Sequence, residues 1–333
     1  MEQIALGQSG RQTTRLGYGC SSLMGALNRR DSLRLLETAY DAGIRHFDVA
    51  PMYGYGEAES CLGEFLQNHR NITVTTKFGI APPKRSALIQ AGRRIAGSIV
   101  KKIPSLKQGL AKAASTATRN DERTAFTAAH AKASLDRSLR AMQAEHIDLW
   151  LLHEVEARDL MDDTLLTLLE SEIRQGSIGT FGIGSSREKI PAILSDHPAY
   201  CRTLQYEWSI LDSPIEAPLI DTGQPFHIHH RSLTNNFRTL HTALLNNKNL
   251  TRRWSKSTNT DLANSETLAN LMLKAALVMN PASIILFSSK NPQHIQANAR
   301  IAADDTLETH ARQLYSLVQA EGSQLLQPDH SNE

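Results

Sequence analysis

From Thr14 onward, short apolar or β-branched runs alternate with stretches of helical period about eight times. Residues 14–20 read as the first core strand, and their glycines suggest that something approaches the backbone closely. Asp31 caps a helix through Ala42, with Leu33, Leu35, Leu36, Ala39 and Tyr40 at helical spacing and Gly43 at its end. Residues 45–49 form a strand closed by Ala50 and Pro51, residues 57–67 an amphipathic helix, and residues 72–76 a β-branched strand ending in Lys77. A helix over residues 127–144 precedes the apolar strand 147–152, which ends in His153. Further on come a helix at 163–174, a strand at 178–183, and a short helix at 187–194 capped by Ser186. Strands at 203–206 and 226–230 bracket an irregular segment, and a helix at 262–279, a strand at 283–286 and a helix at 292–302 follow. Residues 1–12 read as a hairpin turning at Gly7 or Gly10.

Such alternation implies a parallel sheet with helices outside, and this number of units suits a closed (β/α)8 TIM barrel. A doubly wound sheet is the alternative, but no G-x-G-x-x-G opens the first helix. No internal repeat or compositional break marks a linker, so a single barrel domain over 1–333 is expected. One stretch interrupts the rhythm after the third strand. Residues 81–120 hold Lys84, Arg85, Arg93, Arg94, Lys101, Lys102, Lys107, Lys112 and Arg119 and no acid, so 81–122 reads as a basic insertion with some helix of its own. It suits a solvated loop, a lid that draws in an anionic ligand, or a polyanion contact. The absence of interleaved aromatics weakens a single-strand nucleic-acid role.

With 41% hydrophobic residues the chain can bury a real core, and a formal charge of +2 demands no polyanionic partner. Cys20, Cys61 and Cys201 are odd in number and far apart, which fits a reducing compartment. The first residues lack the pattern of a secretory signal and no apolar run approaches membrane-spanning length, so a cytoplasmic location is expected, with no membrane or nucleic-acid partner. Oligomeric state leaves no trace in the sequence.

Asp48 and Lys77 end two consecutive strands, and Tyr53 follows Asp48 among glycines. In a parallel α/β fold these ends face one crevice. A free phenol has a pKa near 10; an ammonium beside it would lower that value, and a carboxylate would hold the ammonium. The bland account is a capping aspartate, a surface lysine and a packed tyrosine. His153, at the end of the next strand, makes four polar groups at the same end of three strands, which the bland account covers poorly.

These residues resemble the aldo-keto reductase superfamily. The matching motifs are Gly43 to Asp48 with Ala50, Tyr53, Gly54, Gly56, Glu59, Leu62 and Gly63, then Thr76 and Lys77, then Asp148 to His153. The resemblance covers nearly the whole chain apart from the basic insertion and parts of 207–262. It implies a barrel that binds an extended nicotinamide cofactor at the strand ends. It also implies roles: Tyr53 as general acid/base, Lys77 as its pKa partner, Asp48 as the partner of Lys77, and His153 as the group orienting the carbonyl. No metal is implied. His227, His229 and His230 share a strand, but they alternate in face and lack a Cys or carboxylate partner.

Cofactor contacts transfer less evenly. The family's serine–asparagine pair corresponds to Gly184–Ser185, its glutamine to Gln205, and its nicotinamide-stacking aromatic falls near His230. Ser288, Ser289, Lys290 and Asn298 match the adenosine-phosphate loop, and the arginine that grips a 2'-phosphate aligns with His294. Lys290 offers a point charge without an arginine's bidentate geometry, so the lean is toward NADP(H), with NAD(H) as the alternative. The function implied is NAD(P)H-dependent reduction of an aldehyde, ketone or sugar, or oxidation of the matching alcohol. A sugar or polar-alcohol dehydrogenase acting oxidatively, and a nucleotide-sensing interaction subunit with slow turnover, are the rivals.

Overall fold

The computed structural model describes residues 1–25, 27–82, 123–221 and 223–325. A hairpin of β1 (Gln3–Ala5) and β2 (Gln12–Thr14) precedes eight strands: β3 (Leu16–Gly19), β4 (His46–Asp48), β5 (Thr73–Phe78), β6 (Ile147–His153), β7 (Ile178–Gly184), β8 (Thr203–Glu207), β9 (Phe226–His230) and β10 (Ser283–Phe287). These eight are hydrogen-bonded in chain order, and β10 pairs with β3 to close the barrel. All the barrel pairings are parallel. The (β/α)8 barrel expected from the alternation is thus the observed fold.

Closure leaves the barrel strands covered on both faces, which is why β6 and β10 carry runs of consecutive apolar residues. Alternation sorts their side chains. Leu149, Leu151, Ile228, Ile284 and Leu286 fill the inside, and Leu6, just beyond β1, packs against that cluster. Trp150, Leu152, Phe181, Ile183 and Leu204 face outward to the helices. Gly182 on β7 is a position where the barrel has no room: a Cβ there would stand 2.1 Å from the Thr203 carbonyl oxygen. His46 is a buried polar residue at the centre. Its ring nitrogens lie 3.0 Å and 3.3 Å from the hydroxyls of Thr73 and Thr75, and burial holds its pKa down at about 4.

The helices are α1 (Arg29–Asp41), α2 (Ala58–Leu66), α3 (Ala128–Met142), α4 (Asp163–Gln175), α5 (Ile190–Asp196), α6 (Thr234–Asn246), α7 (Lys248–Thr258), α8 (Ser265–Met279), α9 (Pro292–Ala303) and α10 (Glu308–Leu325). Two capping expectations need correction. Asn28, not Asp31, caps α1, and the backbone N–H it accepts is that of Asp31. Ser186 does not cap α5, which starts three residues beyond Arg187 and has no side-chain cap. Helices α6 and α7 occupy a stretch to which the sequence pattern assigns no element; buried Leu240, Leu244, Leu250 and Trp254 anchor them.

Ile80 and Arg123 form an antiparallel bridge at the two ends of the basic segment. Residues 83–122, which make up nearly all of that expected insertion, lie outside the described residues. Among the described residues, no helix is long and apolar enough to cross a membrane.

Candidate active site

The three-residue strand β4 aims Phe47 at the helices and leaves His46 and Asp48 facing the barrel axis. On β5 the register pairs Asp48 with Thr75, so Lys77 stands two residues further toward the carboxyl end. Its ammonium reaches back to donate to Asp48 Oδ1 at 2.5 Å and to the Val49 carbonyl at 3.1 Å. Gln205, from β8 on the far side of the barrel, donates its Nε2 to Asp48 Oδ2 at 2.7 Å. Lys77 is only 2% exposed, so this carboxylate is its counter-charge in a nearly dry environment.

Tyr53 opens a tight turn, Tyr53–Gly56, in which Gly54 and Tyr55 both have φ of 59°. Gly54 is required twice over: its φ is left-handed, and a Cβ would lie 2.5 Å from the Leu23 carbonyl oxygen. The turn brings the Tyr53 ring to 5.3 Å from the Lys77 ammonium and edge-on to the His153 ring, with centroids 6.5 Å apart.

Burial dominates the titration of this group. It pushes the Tyr53 phenol above its ordinary value; Lys77 pulls the other way without overcoming it. The lowered phenol pKa expected from the lysine alone is therefore corrected. Burial also pushes Lys77 down, but Asp48 and Tyr53 together outweigh it, and the ammonium ends above its ordinary value. His153 is held at about 3 by burial and then by the Lys77 charge, and His230 at about 4 by burial. At neutral pH the site therefore presents a protonated phenol, an ammonium and two neutral imidazoles.

These residues line a cavity of about 640 Å³ at the carboxyl ends of the strands, within the usual range for ligand sites. Asp48, Tyr53, Lys77, His153, Ser185, Gln205, His230, Ser288 and Asn298 all contribute to its wall. Ser185 also donates its hydroxyl to the Val155 carbonyl at 2.8 Å. Ser289, Lys290 and His294 are not part of the wall. Ser289 accepts from the Asn291 N–H and, through its carbonyl, from the Tyr18 hydroxyl, while Lys290 and His294 are exposed around the first turn of α9. Of the β9 histidines, His230 turns inward, whereas His229 packs edge-on to Tyr206, with ring centroids 4.8 Å apart.

Glu154, Glu207, Arg231 and Ser232 also line the cavity, and sequence reasoning missed them as site residues. Each lies at the end of a barrel strand or just beyond it, and that position was the available signal. Ser232 is buried with a hydroxyl that has no protein partner among the described residues.

Residues 15–311 match the model of the aldo/keto reductase family. The chain belongs to that family. Family members use nicotinamide cofactors. Over 82 residues this aldo/keto reductase chain is 44% identical to the pyridoxal 4-dehydrogenase of Microbacterium luteolum, covering 23% of this chain and 24% of the relative. Over 181 residues it is 33% identical to the D-threo-aldose 1-dehydrogenase of a Pseudomonas species, covering 51% and 49%. Matches to curated relatives thus span about a quarter to a half of the relatives' length. Among solved structures, the glycerol dehydrogenase of Gluconobacter oxydans aligns with a TM-score of 0.64 at 15% identity, covering 99% of this chain and 98% of the other. An aldo-keto reductase from Bacillus halodurans aligns at 0.63 and 20%, covering 94% and 96%. At such identities the likeness is one of fold.

Proposed function

We propose that this protein is a nicotinamide-dependent carbonyl reductase, with Tyr53 as the acid that protonates the carbonyl oxygen. The observation that carries the reading is the buried chain Gln205–Asp48–Lys77 ending beside Tyr53, opposite His153. A phenol raised by burial is fully protonated at neutral pH, the form a reductase needs.

The cavity suits an extended dinucleotide. It runs from Tyr53 and His153 past Ser185 and Gln205 to Ser288 and Asn298 beside α9, and the unpartnered Ser232 hydroxyl faces a ligand with a ready polar group. Ser185, Gln205 and His230 would hold the nicotinamide end. Ser288, Ser289 and Asn298 would hold the adenosine end, with Lys290 and His294 at the 2'-phosphate. Two cationic or protonatable side chains there favour NADP(H) over NAD(H). When bound in reduced form, the cofactor supplies a hydride to the carbonyl carbon.

Tyr53 and His153 then act on the carbonyl oxygen. Both donate hydrogen bonds to it, so negative charge developing there meets two fixed donors in a low-dielectric site. Tyr53 transfers its proton, and Lys77 stabilises the phenolate left behind. Asp48 keeps Lys77 charged and aimed, and Gln205 occupies the second carboxylate oxygen so that Asp48 cannot turn away. Run backward, the phenolate takes the proton of an alcohol. The names of the two curated relatives favour that oxidative direction as the second reading, whereas the raised phenol favours reduction. The substrate is a small carbonyl compound or alcohol.

The test is consumption of NADPH or NADH by the purified chain with small aldehydes and aldoses. Tyr53→Phe is expected to lower the rate about 100- to 10,000-fold, the usual range for removal of a general acid. A Tyr53→Phe variant as fast as the wild type would overturn the assignment.

A further inference from the structure

Glu154 follows His153 directly and has a left-handed backbone, φ 56°, which side-chain-bearing residues adopt rarely. Two interactions hold it there. Its N–H donates to the Gly184 carbonyl on the neighbouring strand at 2.6 Å, and its own carbonyl accepts from Arg123 Nη2 at 2.9 Å. A strained residue pinned at both backbone groups and lining the reaction cavity is a functional constraint more often than an accident of packing.

Its carboxylate is 44% exposed and only loosely paired. Lys189 stands 3.9 Å from Glu154 but 3.1 Å from Glu156, its nearer partner. Arg158 pairs with Glu156 at 2.8 Å, and Arg123 engages Asp159. The nearby cations are thus committed chiefly to Glu156 and Asp159. On the far lip, with two strands between, Arg231 also lines the cavity with φ 58°, next to His230 rather than His153. Glu154 thus lines the same cavity as Tyr53 and His153, directly beside His153 in the chain.

We propose that Glu154 is a specificity-determining residue, accepting hydrogen bonds from hydroxyl groups close to the substrate carbonyl. The preferred substrates are accordingly short hydroxylated aldehydes or aldoses rather than alkyl aldehydes. This deepens the carbonyl-reductase reading and rests on it. A carboxylate acceptor makes charge-assisted hydrogen bonds to hydroxyls that an alkyl chain cannot offer, and a desolvated carboxylate facing an alkyl chain counts against it.

Propanal and D-glyceraldehyde share a carbon skeleton and differ in two hydroxyls, so their ratio isolates the contact. Both would be assayed by reduced-cofactor consumption with wild type, Glu154→Ala, Glu154→Gln and Glu154→Asp. Glyceraldehyde hydration cancels because the ratio is compared between variants. The wild type is expected to prefer glyceraldehyde in kcat/KM. Glu154→Ala should lower the glyceraldehyde-to-propanal ratio about tenfold, mainly through KM, with Glu154→Gln intermediate and Glu154→Asp partly restored. All four are L-residues at the same left-handed position, so backbone strain is common to them. A ratio unchanged in Glu154→Ala, equal losses on both aldehydes, or no wild-type preference overturns the inference while leaving the reductase reading intact. No Tyr53-dependent turnover of either aldehyde by the wild type removes the reading itself, and the inference with it.

Discussion

Asp48→Asn removes one negative charge and almost no volume from the centre of the site. The carboxylate sits 2.5 Å from the Lys77 ammonium and 2.7 Å from Gln205 Nε2, with Lys77 2% exposed. An asparagine can still offer its oxygen to Lys77, but its amide then faces the Gln205 amide, donor against donor, unless Gln205 turns over. The larger loss is the counter-charge. Removing one partner of a buried ion pair costs about 3–5 kcal/mol. The low end applies here, because Lys77 keeps its bond to the Val49 carbonyl. We expect a loss of about 3 kcal/mol in urea unfolding, followed by the fluorescence of buried Trp150 and Trp254. The double variant Asp48→Asn with Lys77→Met should recover at least half of that loss, since an apolar side chain needs no counter-charge. An Asp48→Asn protein as stable as the wild type, or a double variant no better than the single, would refute the view that Asp48 stabilises the fold by neutralising Lys77.

Three further predictions follow from the same structure. Burial lowers His46 and His230 to about 4 and His153 and His229 to about 3, below their unfolded value near 6.5. The unfolded chain therefore gains protons first as pH falls, so stability should be level above about pH 7 and drop between 6.5 and 5, and urea midpoints that rise on acidification would contradict this. Gly182→Ala, with its Cβ 2.1 Å from the Thr203 carbonyl oxygen, should abolish soluble expression or cost roughly 3 kcal/mol or more, whereas Gly176→Ala, with nothing within 4 Å of its Cβ, should cost only about 1 kcal/mol for its positive φ. Because burial raises the Tyr53 phenol, reduction should stay level through pH 9 while alcohol oxidation climbs with pH over the same range. Rate profiles in both directions check this, and a reduction rate falling between pH 7 and 8 would speak against it.

The barrel was legible because its strands are short apolar or β-branched runs, most of them separated from the next by a helix of clear period. The four polar residues Asp48, Tyr53, Lys77 and His153 stood out because polar side chains at or just past the ends of such runs have little structural reason to be there. The titration of Tyr53 was not legible. A neighbouring lysine can be placed from sequence, but the burial that outweighs it depends on how the folded chain encloses the hydroxyl. Glu154 and Arg231 offered only their position just past a strand end; the left-handed backbone that each adopts is not legible in the sequence. Helix α1 is capped by Asn28 rather than Asp31; both residues suit a cap, and only the backbone path decides which side chain accepts. Lys290, just before α9, and His294, on its first turn, are exposed, and there a family motif marks position and leaves contact open.

The most direct test of the central claim is the fate of deuterium carried at C4 of the reduced nicotinamide. With both C4 hydrogens replaced by deuterium, so that either face delivers label, the product alcohol formed from an aldehyde the chain turns over is examined by mass spectrometry. The account predicts an alcohol one mass unit heavier, labelled at the former carbonyl carbon, and no labelled alcohol above background with Tyr53→Phe over the same time. Product alcohol without label, or label transferred equally well by Tyr53→Phe, would contradict it.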